Sequence, residues 1–535
     1  MDALWQTPET RETLLKRLIQ HHTVTDSESE RTFPSFVKSL LLELDYFNAH
    51  QDQLLITYAK DKKPLLLAHY RAAKGSKRTV VLISHFDTVG IEDYGMFETH
   101  AMSPDALYQA YLEHPSYLDS QAQIDLESGD YLFGRGSMDM KAGLMLHMSL
   151  LEKAIIEAWD VNLILVTVPD EEVYSSGMRK VVEALATIKE KEGLDIQLHL
   201  NSEPTMQEDM SSDDHYVYSG SIGKMMPGIV CYGKATHVGN PLSGLSSNYM
   251  MSYINQAIEY NRAFRETYDQ ESTPLPVSLM NKDLKAHYDV QTPFISVGLY
   301  NVFSFKRSPE AVFRLFNDEV IAAVERCEQD WLTLLENEDL PFEGKINVLT
   351  LEQLKGYAIQ QFGESQVETW IDEAIEEIPE LYYQNLHIAK QLLQRCSDIT
   401  PAVVTLFAAP YYPAVNASED PLAQRIVKTV QQTLESQYQR PSHHVHYFNT
   451  ISDSSYAQHQ GDQTLGETFK RNCANFNRTY HLPFESIQRI SAPTILCGPV
   501  GKDAHKMGER LHKHSAFVEL PYVLETIITE HFIKE

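Results

Sequence analysis

Short, β-branched apolar runs recur along this chain, and five segments that follow them carry an acid or a histidine. The first reads Thr79-Val-Val-Leu-Ile-Ser-His85-Phe-Asp87, the second Gly134-Arg-Gly-Ser-Met-Asp139-Met-Lys-Ala-Gly143. The third is Asn162-Leu-Ile-Leu-Val-Thr-Val-Pro-Asp170-Glu171-Glu172, and the fourth runs from Leu198 to Glu203-Pro204. The last is Pro493-Thr-Ile-Leu-Cys-Gly-Pro-Val-Gly-Lys-Asp-Ala-His505. In an open α/β sheet the carboxyl ends of the strands face one crevice, where ligands bind. Strand ends bearing His, Asp, Glu, Glu and His can therefore converge, and that donor set suits a pair of divalent cations.

A chain of 535 residues exceeds one ordinary domain, so two or more are expected. The net charge of −29 excludes nucleic acid and anionic membrane surfaces as expected partners, because both need basic patches. Five widely spaced cysteines make no disulfide framework and fit a reducing compartment. Met1–Glu9 has neither a basic start nor an apolar core, so no secretory signal is expected there. No apolar stretch approaches the roughly 18 residues needed to cross a bilayer. These features read as a soluble cytoplasmic protein.

Apolar spacing predicts a helix over 8–22 after Thr7-Pro8, and a second from Phe33 to Phe47. Strands are expected at Leu54–Tyr58, Leu65–Tyr70, Thr79–Ser84 and Leu163–Val168, with a helix over Met140–Ala158. Residues 90–130 form a long polar and aromatic connection, of the length usual for a functional loop or insertion. From about Gly220 the style changes. A strand at Met226–Tyr232, a strand at Phe294–Phe305, a helix at Ser308–Glu336, a helical stretch at 350–398 and a strand at Ala402–Ala408 precede a turn-rich Pro-Tyr-Tyr-Pro. The pattern predicts an α/β domain in two sequence segments, interrupted by a second domain.

Each candidate site residue has a plain reading beside the chemical one. His85 and Asp87 alone suit a strand-terminal histidine with a capping acid. With acids recurring at the next strand ends, they read as a metal ligand whose other ring nitrogen Asp87 holds. Asp139 suits a helix N-cap or, having two oxygens, a bridge between two cations. Glu171 and Glu172 suit a solvated turn, or a division in which one ligates and its neighbour serves as general base. Glu203 completes a ligand set, and His505, one of 22 histidines, gains weight only from the others.

Taken together, His-x-Asp, Gly-Arg-Gly-x-x-Asp-Met-Lys, Asp-Glu-Glu, Glu-Pro-Thr and Gly-Pro…Ala-His resemble the M20 family of metallo-aminopeptidases, carboxypeptidases and aminoacylases, in the family's order and over most of the chain. The length, the 90–130 connection and the Pro-Tyr-Tyr-Pro and Ile-Ser-Asp-Ser-Ser-Tyr segments are most similar to its arginine-utilisation (RocB-type) branch. The resemblance implies an α/β fold: a zinc-exopeptidase-like catalytic domain with a mixed sheet and helices on both faces. Residues 1–219 and 413–535 would form it, with an inserted α+β lid and dimerisation domain at 220–412 carrying an extra helical segment at 350–398.

The same resemblance implies two divalent metal ions per chain, zinc first, with manganese or cobalt as alternatives. Asp139 would bridge, with His85 and Glu203 on one ion and Glu172 and His505 on the other. Glu171 would be the general base and later the proton donor to the leaving amine, and Asp87 would orient His85. His237, in Gly233-Lys-Ala-Thr-His237-Val-Gly239, falls where the family places a lid histidine that donates to the substrate oxyanion. That histidine often reaches across a dimer interface, so a homodimer through the lid is implied. Asn301 and Glu509 fit family positions and read as structural or peripheral.

The expected activity is hydrolysis of an amide bond in a small peptide or an N-acyl amino acid, in amino-acid or arginine catabolism. Many relatives carry an arginine in the turn that here reads Ile451-Ser-Asp453-Ser-Ser-Tyr456, and none stands there. Lys224, Lys306 and Arg307 are the basic residues considered in its place. The rival from another class is a non-catalytic binding or regulatory protein that keeps the fold. Loss of the base or of a ligand would mark it, and every such position is filled. A metal-dependent phosphoesterase would need cations around a phosphate, which these acidic surroundings do not offer.

Overall fold

A computed structural model describes residues 3–206, 209–341, 345–459 and 466–534. The chain divides into two compact units, the first comprising Met1–Ser221, Val415–Gln460 and Pro483–Glu535. Its described residues form an eight-stranded sheet in the order Leu54–Tyr58, Pro64–Tyr70, Asn162–Val168, Arg78–His85, Asp195–Asn201, Thr494–Leu496, His215–Tyr218 and Ser442–Val445. The sheet is mixed. Arg78–His85 pairs in parallel with Asn162–Val168 and with Asp195–Asn201, while Pro64–Tyr70 runs antiparallel to Asn162–Val168.

The central strands are apolar along their whole length because both faces are covered. Val80, Leu82, Leu163 and Leu165 join one cluster with the buried helix Lys141–Glu157 and with Pro8–Gln20, Phe33–Leu41 and Pro421–Tyr438. Successive side chains of a strand point to opposite faces, so Val81, Ile83, Ile164 and Val166 are buried on the other side. Helix Ser176–Glu192 lies against the strand Asn162–Val168.

The second unit comprises Ile222–Ala414 and Gly461–Leu482. Its sheet has the order Val277–Asp283, Ile295–Ser304, Gly223–Tyr232, Ala402–Tyr412 and Asn347–Thr350. Val230, Val297, Val404 and Leu406 pack on the helices Leu351–Phe362, Glu364–Glu376 and Leu381–Arg395. Tyr300 and Phe407 instead meet Phe316 and Phe313 of the long helix Pro309–Asn337.

Three expectations need correction. The expected second segment of the first domain, 413–535, is interrupted, because Gly461–Leu482 clusters with the second unit. Phe469 lies 5.1 Å from Phe407 and 5.2 Å from Tyr411, and Asn475 hydrogen-bonds Asn385 and Gln384. The expected helix over Phe33–Phe47 ends at Leu41, and a separate one spans Asp45–Ala49, with Leu44 extended between them. The strand from Ala402 does not stop at Ala408 but runs through Pro410 to Tyr412. It passes the proline by a register shift between Lys224 and Met226 of its partner, and a bulge of that kind tolerates the missing donor.

Candidate metal centre

Three parallel strands end at the same edge of the first unit's sheet. His85 closes Arg78–His85, the Asp170-Glu171-Glu172 turn follows Asn162–Val168, and Glu203 follows Asp195–Asn201. Asp139 precedes the helix Lys141–Glu157, whose N-cap position is Met140, so the N-cap reading of Asp139 falls away. His505 sits between Val500–Lys502 and Arg510–His512 of a separate four-stranded sheet.

The Asp139 carboxylate lies between two imidazoles. Its Oδ1 is 3.0 Å from His85 Nε2 and its Oδ2 is 3.1 Å from His505 Nε2. Glu203 Oε1 is 3.7 Å from His85 Nε2, and Glu172 Oε2 is 3.1 Å from His505 Nε2. Two sets of potential donors result, His85 with Asp139 and Glu203, and Asp139 with Glu172 and His505. Within each set the donor atoms lie within 4.8 Å of one another. Asp139 is common to both.

Backbone geometry brings these groups so close. A Cβ on Gly498 would stand 2.2 Å from the Glu203 carbonyl oxygen, and one on Gly143 would stand 2.6 Å from that of Ser202. Only glycine permits approaches of that kind. Asp170 holds a left-handed φ of 70°, with its carboxylate accepting from Lys63 Nζ at 2.7 Å and from Ser176 N. That anchor fixes the turn that presents Glu171 and Glu172.

Asp87 acts in two ways, one of them unexpected. The His85 Nδ1–H donates to the Asp87 backbone carbonyl at 3.0 Å, while the Asp87 carboxylate stands 3.6 Å from that nitrogen. The carboxylate accepts instead from the backbone N–H groups of Glu171 and Glu172 and from the Thr25 hydroxyl. It therefore ties the acid pair to the strand end that bears His85.

The electrostatics describe a site short of positive charge. Desolvation, with the charges of Glu203, Asp453 and Glu172, drives Glu171 well above the usual carboxylate range against the pull of His85. Desolvation raises Glu203 in the same way, with Asp139 and Asp453 adding to it. Hydrogen bonds to Asp139 and Glu172 push His505 up to about 11. Burial works against ionised Asp139, yet hydrogen bonds from His505 and His85 hold it below the usual range. Hard carboxylate oxygens and imidazole nitrogens, in two sets that share one carboxylate and hold more acids than the two imidazoles can offset, fit divalent cations.

Asp453, in the turn where no arginine stands, is buried, and its charge acts on Glu171 and Glu203. Burial pushes its carboxyl up to about 7, opposed by the charge of His85 and the Ser175 hydroxyl. An acid flanked by Ser452, Ser454 and Ser455 was the available signal. Glu509 is also buried and pairs with Arg135 at 2.6 Å.

The remaining candidates belong to neither donor set. His237 belongs to the second unit, is exposed, and accepts from the Gly239 N–H through Nδ1. Asn301 is buried in the strand Ile295–Ser304. Lys306 lies over the Tyr268 ring, Arg307 donates to the Ala263 carbonyl, and Lys224 lies 5.9 Å from the Tyr412 ring centre. His443, His444 and His446 bond to Asp214, Ser219 and Ser418, and no cation-type cluster among the described residues includes them.

The family model for peptidase family M20/M25/M40 matches residues 81–529. The chain belongs to this family. Membership in M20/M25/M40 makes it a hydrolase of the metallopeptidase kind. It is 36% identical over 534 residues to the uncharacterized protein YqjN of Bacillus subtilis (strain 168), covering 98% of this chain and 97% of that one. To the protein RocB of the same strain it is 26% identical over 539 residues, covering 96% and 93%. The M20 family metallo-carboxypeptidase Sso-CP2 from Sulfolobus solfataricus shares the fold, with a TM-score of 0.55 and 10% identity over 97% of this chain and 98% of that one. Among the described residues no helix is long and apolar enough to cross a membrane.

Proposed function

We propose that this M20 member hydrolyses an amide bond in a small peptide or an N-acyl amino acid, using two divalent cations that share Asp139. One observation carries the reading: the two Asp139 oxygens each face a different imidazole, and each imidazole has a further carboxylate beside it. His85, Asp139 and Glu203 would hold one ion, and Asp139, Glu172 and His505 the other, with zinc the first choice and manganese or cobalt the alternatives. Such ions supply polarisation of the scissile carbonyl and activation of water near neutral pH.

The protein side chains do the rest. Glu171 belongs to neither donor set, its carboxyl feels the charges of His85 and Glu203 in one and of Glu172 in the other, and its backbone N–H is held by Asp87. Its carboxylate takes the proton that water loses on attacking the carbonyl carbon, then gives that proton to the departing nitrogen as the C–N bond breaks. Asp87 fixes the His85 ring from behind through its carbonyl. His237, exposed on the second unit, is the proposed donor to the substrate oxyanion.

The second unit would serve as lid and as the contact of a homodimer. Its edge strand Val277–Asp283 exposes Leu279, and Tyr288 and Val290 are exposed beside Gln291, which bridges to His237. The RocB-type resemblance supports a role in amino-acid, and specifically arginine, catabolism.

The test is amine release from a panel of dipeptides and N-acyl amino acids by zinc- or manganese-loaded protein. Turnover confined to one class assigns the substrate, and a chelator abolishes it. A full panel with no turnover in either metal form would favour the binding-protein alternative.

A further inference from the structure

The connection at 90–130, unusual in length, makes its structural mark at His505. It folds into Glu92–His100, the helices Pro104–Glu113 and Ser120–Ser128, and the short turn Pro115–Tyr117 between them. These elements have a core of their own, with Tyr94, Phe97, Leu107, Tyr111, Leu118 and Leu126 buried together. Met507, two residues beyond His505, packs against that core.

His505 is the less supported of the two histidines. His85 ends a central strand, is 1% exposed, and has its Nδ1 fixed by the Asp87 carbonyl. The His505 side chain is 47% exposed, and among the described residues nothing bonds its Nδ1. Its backbone is left-handed, with φ of 63°, and so is that of Asp503, with φ of 60°. Left-handed non-glycine residues are uncommon, although Asp and His adopt the conformation more readily than most, so two of them so close together mark a sharply bent loop.

Several contacts that hold the His505 loop come from the insertion. The Tyr111 hydroxyl donates to the Met507 carbonyl at 2.5 Å. Asp125 Oδ2 accepts from Arg510 Nε at 2.7 Å and from Lys502 Nζ at 3.2 Å, the residues at either end of the loop. Arg510 in turn grips the loop from within, donating to Asp503 Oδ2 and to the Gly508 carbonyl. On the third side Asp93 pairs with Arg135, which pairs with Glu509.

We propose that the insertion at 92–128 is a brace that orients His505 through the positioning residues Tyr111 and Asp125, and thereby sets the cation affinity of the Asp139, Glu172 and His505 set. This rests on the two-cation reading above. Groups that orient a ligand from outside typically change metal affinity by about 10- to 100-fold when removed.

The experiment titrates metal-free protein with Zn²⁺ in competition with a chromophoric chelator, resolving two binding steps in the wild type. Tyr111→Phe deletes only the buried hydroxyl and decides the matter. Asp125→Asn is the second variant, since it leaves Lys502 and Arg510 facing a neutral amide. Ile124→Ala, at an exposed neighbour on the same helix, is the control. The expected result for Tyr111→Phe is one step weakened by about 10- to 100-fold and the other unchanged, with Ile124→Ala matching the wild type. Two unchanged steps in Tyr111→Phe would overturn the brace and leave the two-cation reading intact. Equal weakening of both steps would also overturn it, as a general loss of structure. A wild type that takes up fewer than two ions would overturn the two-cation reading itself, and the brace with it.

Discussion

Glu171→Gln is expected to lower kcat by about 10²- to 10⁴-fold while the protein keeps both ions. At about 1.4 kcal/mol per factor of ten, that is about 3–6 kcal/mol of lost transition-state stabilisation. The physical reason is confined to one proton. Glutamine keeps the volume of Glu171 and the backbone bond to Asp87, but it can neither accept a proton from water nor return one to a leaving nitrogen. Because Glu171 contributes to neither donor set, ion content is expected to stay at the wild-type value. KM is expected to change little, since the lost interaction belongs to the transition state. A variant with wild-type kcat would remove Glu171 from the chemistry. A variant that sheds an ion would make it a ligand instead of a base.

Asp139→Asn is expected to have the larger effect on composition. Both donor sets contain Asp139, so replacing its carboxylate by an amide removes an anionic oxygen from each. The amide also presents one N–H₂ group to an imidazole, where a carboxylate oxygen now stands 3.0 or 3.1 Å away. Uptake is expected to fall from two ions per chain to less than one, and turnover is lost with it. Glu203→Gln and Glu172→Gln should each weaken only their own set. The near-isosteric change should leave the fold intact by circular dichroism, since Asp139 makes no helix cap. Two retained ions in Asp139→Asn would show that the shared-carboxylate arrangement is wrong.

The sequence was most legible where burial on both faces makes strands continuous and apolar. Thr79–Ser84 and Leu163–Val168 stood out for that reason, and the acids beyond them follow directly from parallel strand ends opening at one edge. Boundaries failed where a local signal met a tertiary contact. The proline at 410 reads as a strand stop, yet a bulge lets the strand continue to Tyr412. Phe469 and Asn475 carry no mark of belonging to the second unit, because their partners Phe407 and Asn385 are distant in sequence.

The site divides in the same way. His85, Asp139, Glu172, Glu203 and His505 were visible as residue types at strand ends and in motifs, and the structure brings them together. The double use of Asp87 was not visible, because a backbone carbonyl has no sequence signature. Nor was the hold of Tyr111 and Asp125 on the His505 loop, which joins residues almost 400 positions apart. His237 stands in the second unit, and its proposed part in catalysis rests on the family motif alone.

The central claim is that two cations share Asp139. Its most direct test is anomalous diffraction from crystals of zinc-loaded protein, collected on either side of the zinc absorption edge. The account predicts two anomalous peaks per chain, one contacting His85, Asp139 and Glu203 and the other Asp139, Glu172 and His505. A single peak, or two peaks of which neither touches Asp139, would contradict it.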